Sequence, residues 1–194
     1  MQIKMYVALF MVFLMFSCRP DSTKESAQEG KTERVSLIPE GYDPEGKLKV
    51  LGIRLSEPSA PVANYVNAVR TGNLIFLAGK GPLKPNGKNI TGKLGADLTI
   101  EEGYEAARIT GINQLSVLKA ELGDLNKAKR IVKVLGMVNS TPDFTDQPKV
   151  VNGYSDLMVS VFGEKGKHAR AAVGMGALPG DIAIEVEMIV EVYE

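Results

Sequence analysis

Tryptophan is absent from this chain, and the six tyrosines and six phenylalanines are scattered. No row of rings is present on which successive bases could stack. Neither sign of charge is in excess, since 23 Lys and Arg balance 23 Asp and Glu. A chain of zero formal charge has no field to collect nucleic acid or anionic lipid, and neither partner is expected. There is one cysteine, Cys18, and one histidine, His168. That excludes an internal disulfide and a Cys/His zinc site. No spacing of Asp and Glu suggests a carboxylate site either, so no metal and no cofactor are expected. The phosphate-cradling patterns GxGxxG and GxxxxGK(S/T) are missing, and so is Gly-x-Ser-x-Gly. A lone histidine in a domain without cysteine leaves little room for a nucleophilic triad.

Long apolar runs are scarce as well. Met5 to Phe16 is unbroken, but its twelve residues fall short of the roughly 20 that a spanning helix needs. With Lys4 before it and Ser17-Cys18 after it, the run reads as the apolar region of a signal peptide. A cysteine just past such a run resembles the processing site of bacterial lipoproteins, although Met15 stands where leucine is preferred. The expectation is a signal peptide over residues 1–18 with lipid on Cys18, and a periplasm-facing protein of the cell envelope that meets the membrane only through that anchor. Plain secretion is the alternative. Residues 19–47 are rich in Gly, Pro, Ser and charge. Such a segment buries too little apolar surface to offset its ordering, so it reads as a flexible tether.

Residues 48–194 carry the periodic patterns of one domain. Lys49 to Leu55 and Tyr65 to Val69 have extended character, and Leu74 to Ala78 is a short apolar strand before a glycine-rich loop that reaches Gly95. Thr99 and Glu102 form a capping box at the head of a helix that Gly123 closes. Arg130 to Val138 reads as a strand, and Gln147 to Phe162 as a second helix with Pro148 in its first turn. Arg170 to Gly176 and Ile182 to Val192 read as two strands joined in a final hairpin. In the last strand Ile182, Ile184, Val186, Met188, Val190 and Val192 share one face, and Glu185, Glu187 and Glu191 lie on the other. The pattern implies a two-layer α/β domain, a mixed sheet packed against two helices. The alanine and glycine of the hairpin suit an open sheet face that another subunit covers.

Chemistry-bearing residues are few. Arg170 lies between Ala169 and Ala171, unusual company for a charge facing solvent. A guanidinium presents a planar fork of donors that matches a carboxylate. It either binds a ligand's carboxylate or pairs with a glutamate of a neighbouring subunit. His168 follows a polar loop and is either a pocket residue or a packing one.

The segment HARAAVGMGALPGDIAIEVEMI resembles the signature of the RidA family, also called YjgF/YER057c/UK114. The resemblance lies in Ala169-Arg170, Leu178-Pro179, and Glu185 with Glu187. The fifteen-residue step from Arg170 to Glu185 agrees with it. So do the fourteen-residue step from Tyr65 to Gly79, and Val151-Asn152 followed by Tyr154. It covers about Pro61 to Val192. It implies a chorismate-mutase-like fold, a homotrimer associated through its sheets, and pockets at subunit boundaries that take a small carboxylate. It also implies hydrolysis of reactive 2-imino and 2-enamino acids to 2-keto acids and ammonia. On that resemblance Arg170, Glu185 and Tyr65 are the catalytic candidates, and Gly79, Lys80 and Asn152 bind substrate. The alternatives are a structural Glu185, a core Tyr65 and an Asn152 that only caps or begins its helix. Ala172 replaces the cysteine common in the family, and Lys80 replaces a common glutamine, adding positive charge. Two other functions stay open, a non-catalytic carboxylate-binding module and a structural trimer of the cell envelope.

Overall fold

The structure is a computed structural model and describes residues 38–193. Cys18, the expected signal peptide and the tether up to residue 37 lie outside the described residues.

The described chain enters a short helix, α1 (Pro44–Val50). Asp43 starts it, its carboxylate accepting a hydrogen bond from the Gly46 N–H at 2.8 Å, with Pro44 in the first turn. Leu48 is buried, and Glu45 joins Lys119 and the Leu125 N–H. Two expectations are corrected here. Residues 44–47 belong to an ordered helix and not to a tether, and Lys49 to Leu55 forms no strand. Six or seven residues of mixed polarity fit either period, and a local cap decided between them.

Strands β1 (Ala68–Thr71) and β2 (Leu74–Lys80) form an antiparallel pair around Gly72-Asn73. Helix α2 (Ile100–Leu122) begins with the expected capping box: Thr99 Oγ1 accepts from the Glu102 N–H, and Glu102 accepts from the Thr99 N–H. Gly123, left-handed at φ 71°, ends it. Strand β3 (Ala128–Asn139), helix α3 (Gln147–Phe162), β4 (Ala169–Met175) and β5 (Ile184–Val192) follow.

The sheet runs β1-β2-β5-β3-β4. Only β3 and β4 are parallel, joined through α3 as a strand–helix–strand unit; the other neighbours are antiparallel. This corrects the final hairpin. β4 and β5 do not pair, because β3 lies between them. The turn residues Leu178 to Asp181 carry the chain past the end of β3 instead of doubling it back, with Gly180 and Asp181 both at positive φ. The evenly alternating β5 takes the centre of the sheet and the alanine-rich β4 its edge.

Helices α2 and α3 cover one face of this mixed sheet. Ile184, Val186, Met188 and Val190 of β5 pack with Leu115, Leu118, Tyr154 and Met158 in one core. The opposite face shows Phe76, Leu135, Met137, Ala171 and Val173, with Phe76 42% and Val173 38% exposed. Among the described residues no helix is long and apolar enough to cross a membrane.

Candidate functional site

Alternation along β4 sends Arg170 to the helix-covered side, since its row continues through Val134 to the buried Met188. There α3 supplies acceptors from successive turns. One guanidinium nitrogen of Arg170 donates to Asn152 Oδ1 at 2.9 Å and to Ser155 Oγ at 3.0 Å. The other approaches the Pro148 carbonyl at 3.5 Å. All three partners are neutral. Among the described residues no carboxylate lies within 4.0 Å of this guanidinium.

Ser155 passes the network on. Its oxygen lies 3.1 Å from His168 Nε2, while His168 Nδ1 is 2.7 Å from the Gly166 carbonyl. A carbonyl only accepts, so Nδ1 carries the proton and Nε2 accepts from the Ser155 hydroxyl. Burial pushes His168 below its usual pKa, and the charge of Arg170 adds to this, against the Gly166 hydrogen bond. The imidazole is therefore neutral near pH 7. Sequence reasoning missed Ser155. Its only signal was the three-residue step from Asn152, which places both on one helix face.

The other expected residues gather elsewhere. Tyr65, Gly79 and Lys80 line a cavity of about 360 Å³ with Asn113 and Ser116 of α2. Tyr65 is 47% exposed, so it is not a core residue in this chain. Lys80 Nζ donates to Asn67 Oδ1 at 2.6 Å, and burial lowers its pKa. Glu185 lies over Gly79. A Cβ on Gly79 would come within 1.9 Å of Glu185 Oε1, so the bare glycine leaves room for the carboxylate. Burial, and then repulsion from Glu187, raise the pKa of Glu185. Gln114 of α2 clamps this corner, its Nε2 donating to the carbonyls of Ala78 at 3.0 Å and Val186 at 2.7 Å. The β2–β5 register slips here, between Leu77 and Lys80.

One chain does not unite the two groups. Glu185 pairs across to Met137 and Val173 on the open sheet face, opposite to the face of Arg170. An Arg170–Glu185 ion pair within one chain is thereby excluded. Among the described residues no His, Cys, Asp and Glu form a group of three able to hold a metal ion.

Residues 45–192 match the family profile described as "YjgF/chorismate mutase-like, putative endoribonuclease". The chain belongs to the RidA family. Protein TCP17 of Trypanosoma cruzi, a curated relative, is 48% identical over 145 residues, covering 74% of this chain and 91% of TCP17. A RutC family protein of Pyrococcus abyssi is 31% identical over 130 residues, 66% of this chain and 87% of its own. Among solved structures, the protein Atu1372 of Agrobacterium tumefaciens, described as of unknown function, superposes with a TM-score of 0.70 at 42% identity. That match covers 77% of this chain and 91% of Atu1372. RidA membership accounts for the observed two-layer fold.

Proposed function

We propose that this RidA-family protein hydrolyses reactive 2-imino and 2-enamino acids to 2-keto acids and ammonia. The observation that carries the reading is Arg170. It is half-buried, oriented by three neutral acceptors, and without a carboxylate partner among the described residues. Such a group is held in place for an anion that arrives from outside. In this reading the substrate carboxylate lies on Arg170, with Asn152 and Ser155 fixing the guanidinium.

Water adds to the imine carbon as the imine nitrogen takes a proton. The resulting carbinolamine then loses ammonia and leaves the ketone. The step needs a group that releases and accepts protons near neutrality. Glu185, with its raised pKa, suits that role. Tyr65 and the backbone around Gly79 close the pocket. Since Arg170 and Glu185 project from opposite faces of one chain, the reading places the pocket at a boundary in a homotrimer. Arg170 and Asn152 come from one subunit, and Tyr65, Gly79 and Glu185 from its neighbour. The chain is proposed to work in the bacterial envelope, held by lipid on Cys18. The zero formal charge gives an RNA substrate no electrostatic support.

The test is ammonia release from imino acids generated in situ by an amino-acid oxidase. Arg170→Ala is expected to lower kcat/KM by about two orders of magnitude, the loss for removing one partner of a hydrogen-bonded charge pair. Unchanged turnover in that variant would refute the enzymatic reading. Carboxylate binding without turnover in the wild type would favour the binding module.

A further inference from the structure

The unit β3–α3–β4 has a second feature. In parallel strand–helix–strand units, the loop leaving the first strand and the start of the helix meet beyond the strands' carboxyl ends, where α/β sheets commonly seat ligands. Here that place holds a pocket of about 470 Å³. It is lined by Ser140 and Thr141 after β3, Gln147 at the start of α3, Gly174 and Gly176 near the end of β4, and Lys93 from the loop before α2. Gly174 is four residues beyond Arg170, roughly 13 Å along the strand, so this is not the Arg170 site.

Ser140 is only 5% exposed, yet its hydroxyl faces the pocket with no hydrogen-bond partner among the described residues. The hydroxyl keeps enough accessibility for a molecule entering the pocket to become its partner. Lys93 is held beside it. Its Nζ donates to Asn139 Oδ1 at 3.0 Å and to the Gly176 carbonyl, which leaves one N–H. The fully buried Asn139 is fixed in turn by donating to Asp181 Oδ1 at 2.8 Å. No carboxylate lies within 4.0 Å of Lys93 among the described residues. Gly174 keeps the space open, since a Cβ there would stand 2.7 Å from Gln147 Nε2 and 2.9 Å from Ser140 Oγ. Asp146, at the head of α3, makes no side-chain cap, and its carboxylate pairs with Lys149 Nζ at 3.1 Å. Asp143, beside Thr141, is fully exposed, where water screens it.

We propose that this pocket binds a small oxyanion, the carboxylate or phosphate group of a metabolite, between Lys93, Ser140 and Gln147 at the start of α3. Such a ligand satisfies the Ser140 hydroxyl and takes the remaining Lys93 donor. The site is independent of the chemistry assigned to Arg170.

The test follows the thermal midpoint of the full chain against rising sodium phosphate or sodium acetate, with ionic strength held constant by chloride. A ligand that binds only the folded state raises the midpoint in a saturable manner. At least one of the two anions is expected to do so, and the one that does identifies the chemical source. Ser140→Ala and Lys93→Met are each expected to weaken the apparent affinity at least tenfold, while Arg170→Ala leaves it unchanged. Should Lys93→Met fail to fold, Ser140→Ala, which removes one oxygen, decides alone. No saturable shift with either anion overturns the proposal. So does a shift that Ser140→Ala leaves intact, or one that Arg170→Ala abolishes.

Discussion

Arg170, Ser155 and His168 form a directional chain of donors that ends on the Gly166 carbonyl. Ser155 accepts from the guanidinium and donates to the imidazole while Nε2 is unprotonated. A proton on Nε2 would turn the Ser155 O–H away from the ring and place a second, half-buried cation near Arg170. This gives a stability prediction with a definite sign. The folded His168 has a pKa below its ordinary 6.5, so the unfolded chain takes up the proton first as pH falls. The neutral imidazole's contribution is complete above about pH 6.5 and declines as pH falls from there toward the folded value. Glu185 works in the opposite sense. Its raised pKa lets the folded state hold a proton longer, which costs stability as pH rises above its ordinary 4.5. Comparing wild type with His168→Gln cancels that contribution. Chemical denaturation at pH 7.5 and 5.5 should show the wild type losing more stability than the variant; equal losses would contradict the neutral-imidazole assignment.

At the level of elements, what positions Arg170 is the closeness of α3 to α2 and to the sheet. Gly153 faces α2 so tightly that a Cβ would lie 2.0 Å from the Tyr104 carbonyl oxygen, a backbone atom that cannot swing away. Gly153 sits between Asn152 and Tyr154, so any shift of α3 also moves the acceptors of Arg170. Gly153→Ala is expected to destabilise the fold by about 1–3 kcal/mol, the usual range for overpacking. Urea denaturation measures it. The variant should also lose turnover, since Asn152 and Ser155 shift with the helix. α3 itself was legible in the sequence to the residue, Gln147 to Phe162, because its apolar stripe, its early proline and its closing glycine agree. The capping box and terminal glycine of α2 were legible for the same reason. α1 was not, because seven residues hold too few turns for a period to emerge.

For the whole molecule, the open sheet face is the feature that one chain leaves unexplained. Val173 stands exposed there in the row of Met137 and Glu185, and Phe76 beside Ile189. The proposed trimer covers this face and completes the Arg170 pocket. Val173→Lys, at the sheet edge, places a charge where apolar contact is expected. Analytical ultracentrifugation should then show trimer giving way to monomer, with loss of turnover and little change in secondary structure by circular dichroism. A wild type that sediments as a monomer would remove the shared-pocket arrangement. The N-terminal expectation has a separate test. Expressed in bacteria, the full chain should incorporate labelled palmitate and fractionate with membranes, and Cys18→Ser should do neither.

By itself the sequence determined the periodic parts of this protein. Alternation along β5, the stripes of α2 and α3 and the capping box of α2 are local, each carried by neighbours a few residues apart. Arg170 stood out by its alanine neighbours, and the RidA resemblance singled out Glu185 with it. Only the tertiary structure decided which strands pair, that β3 separates β4 from β5, and that Arg170 and Glu185 leave the sheet on opposite faces. The same holds for the partners of Arg170 on α3 and for the pocket around Ser140. Those depend on contacts between residues far apart in the chain, set by how whole elements pack, and no short-range pattern encodes them.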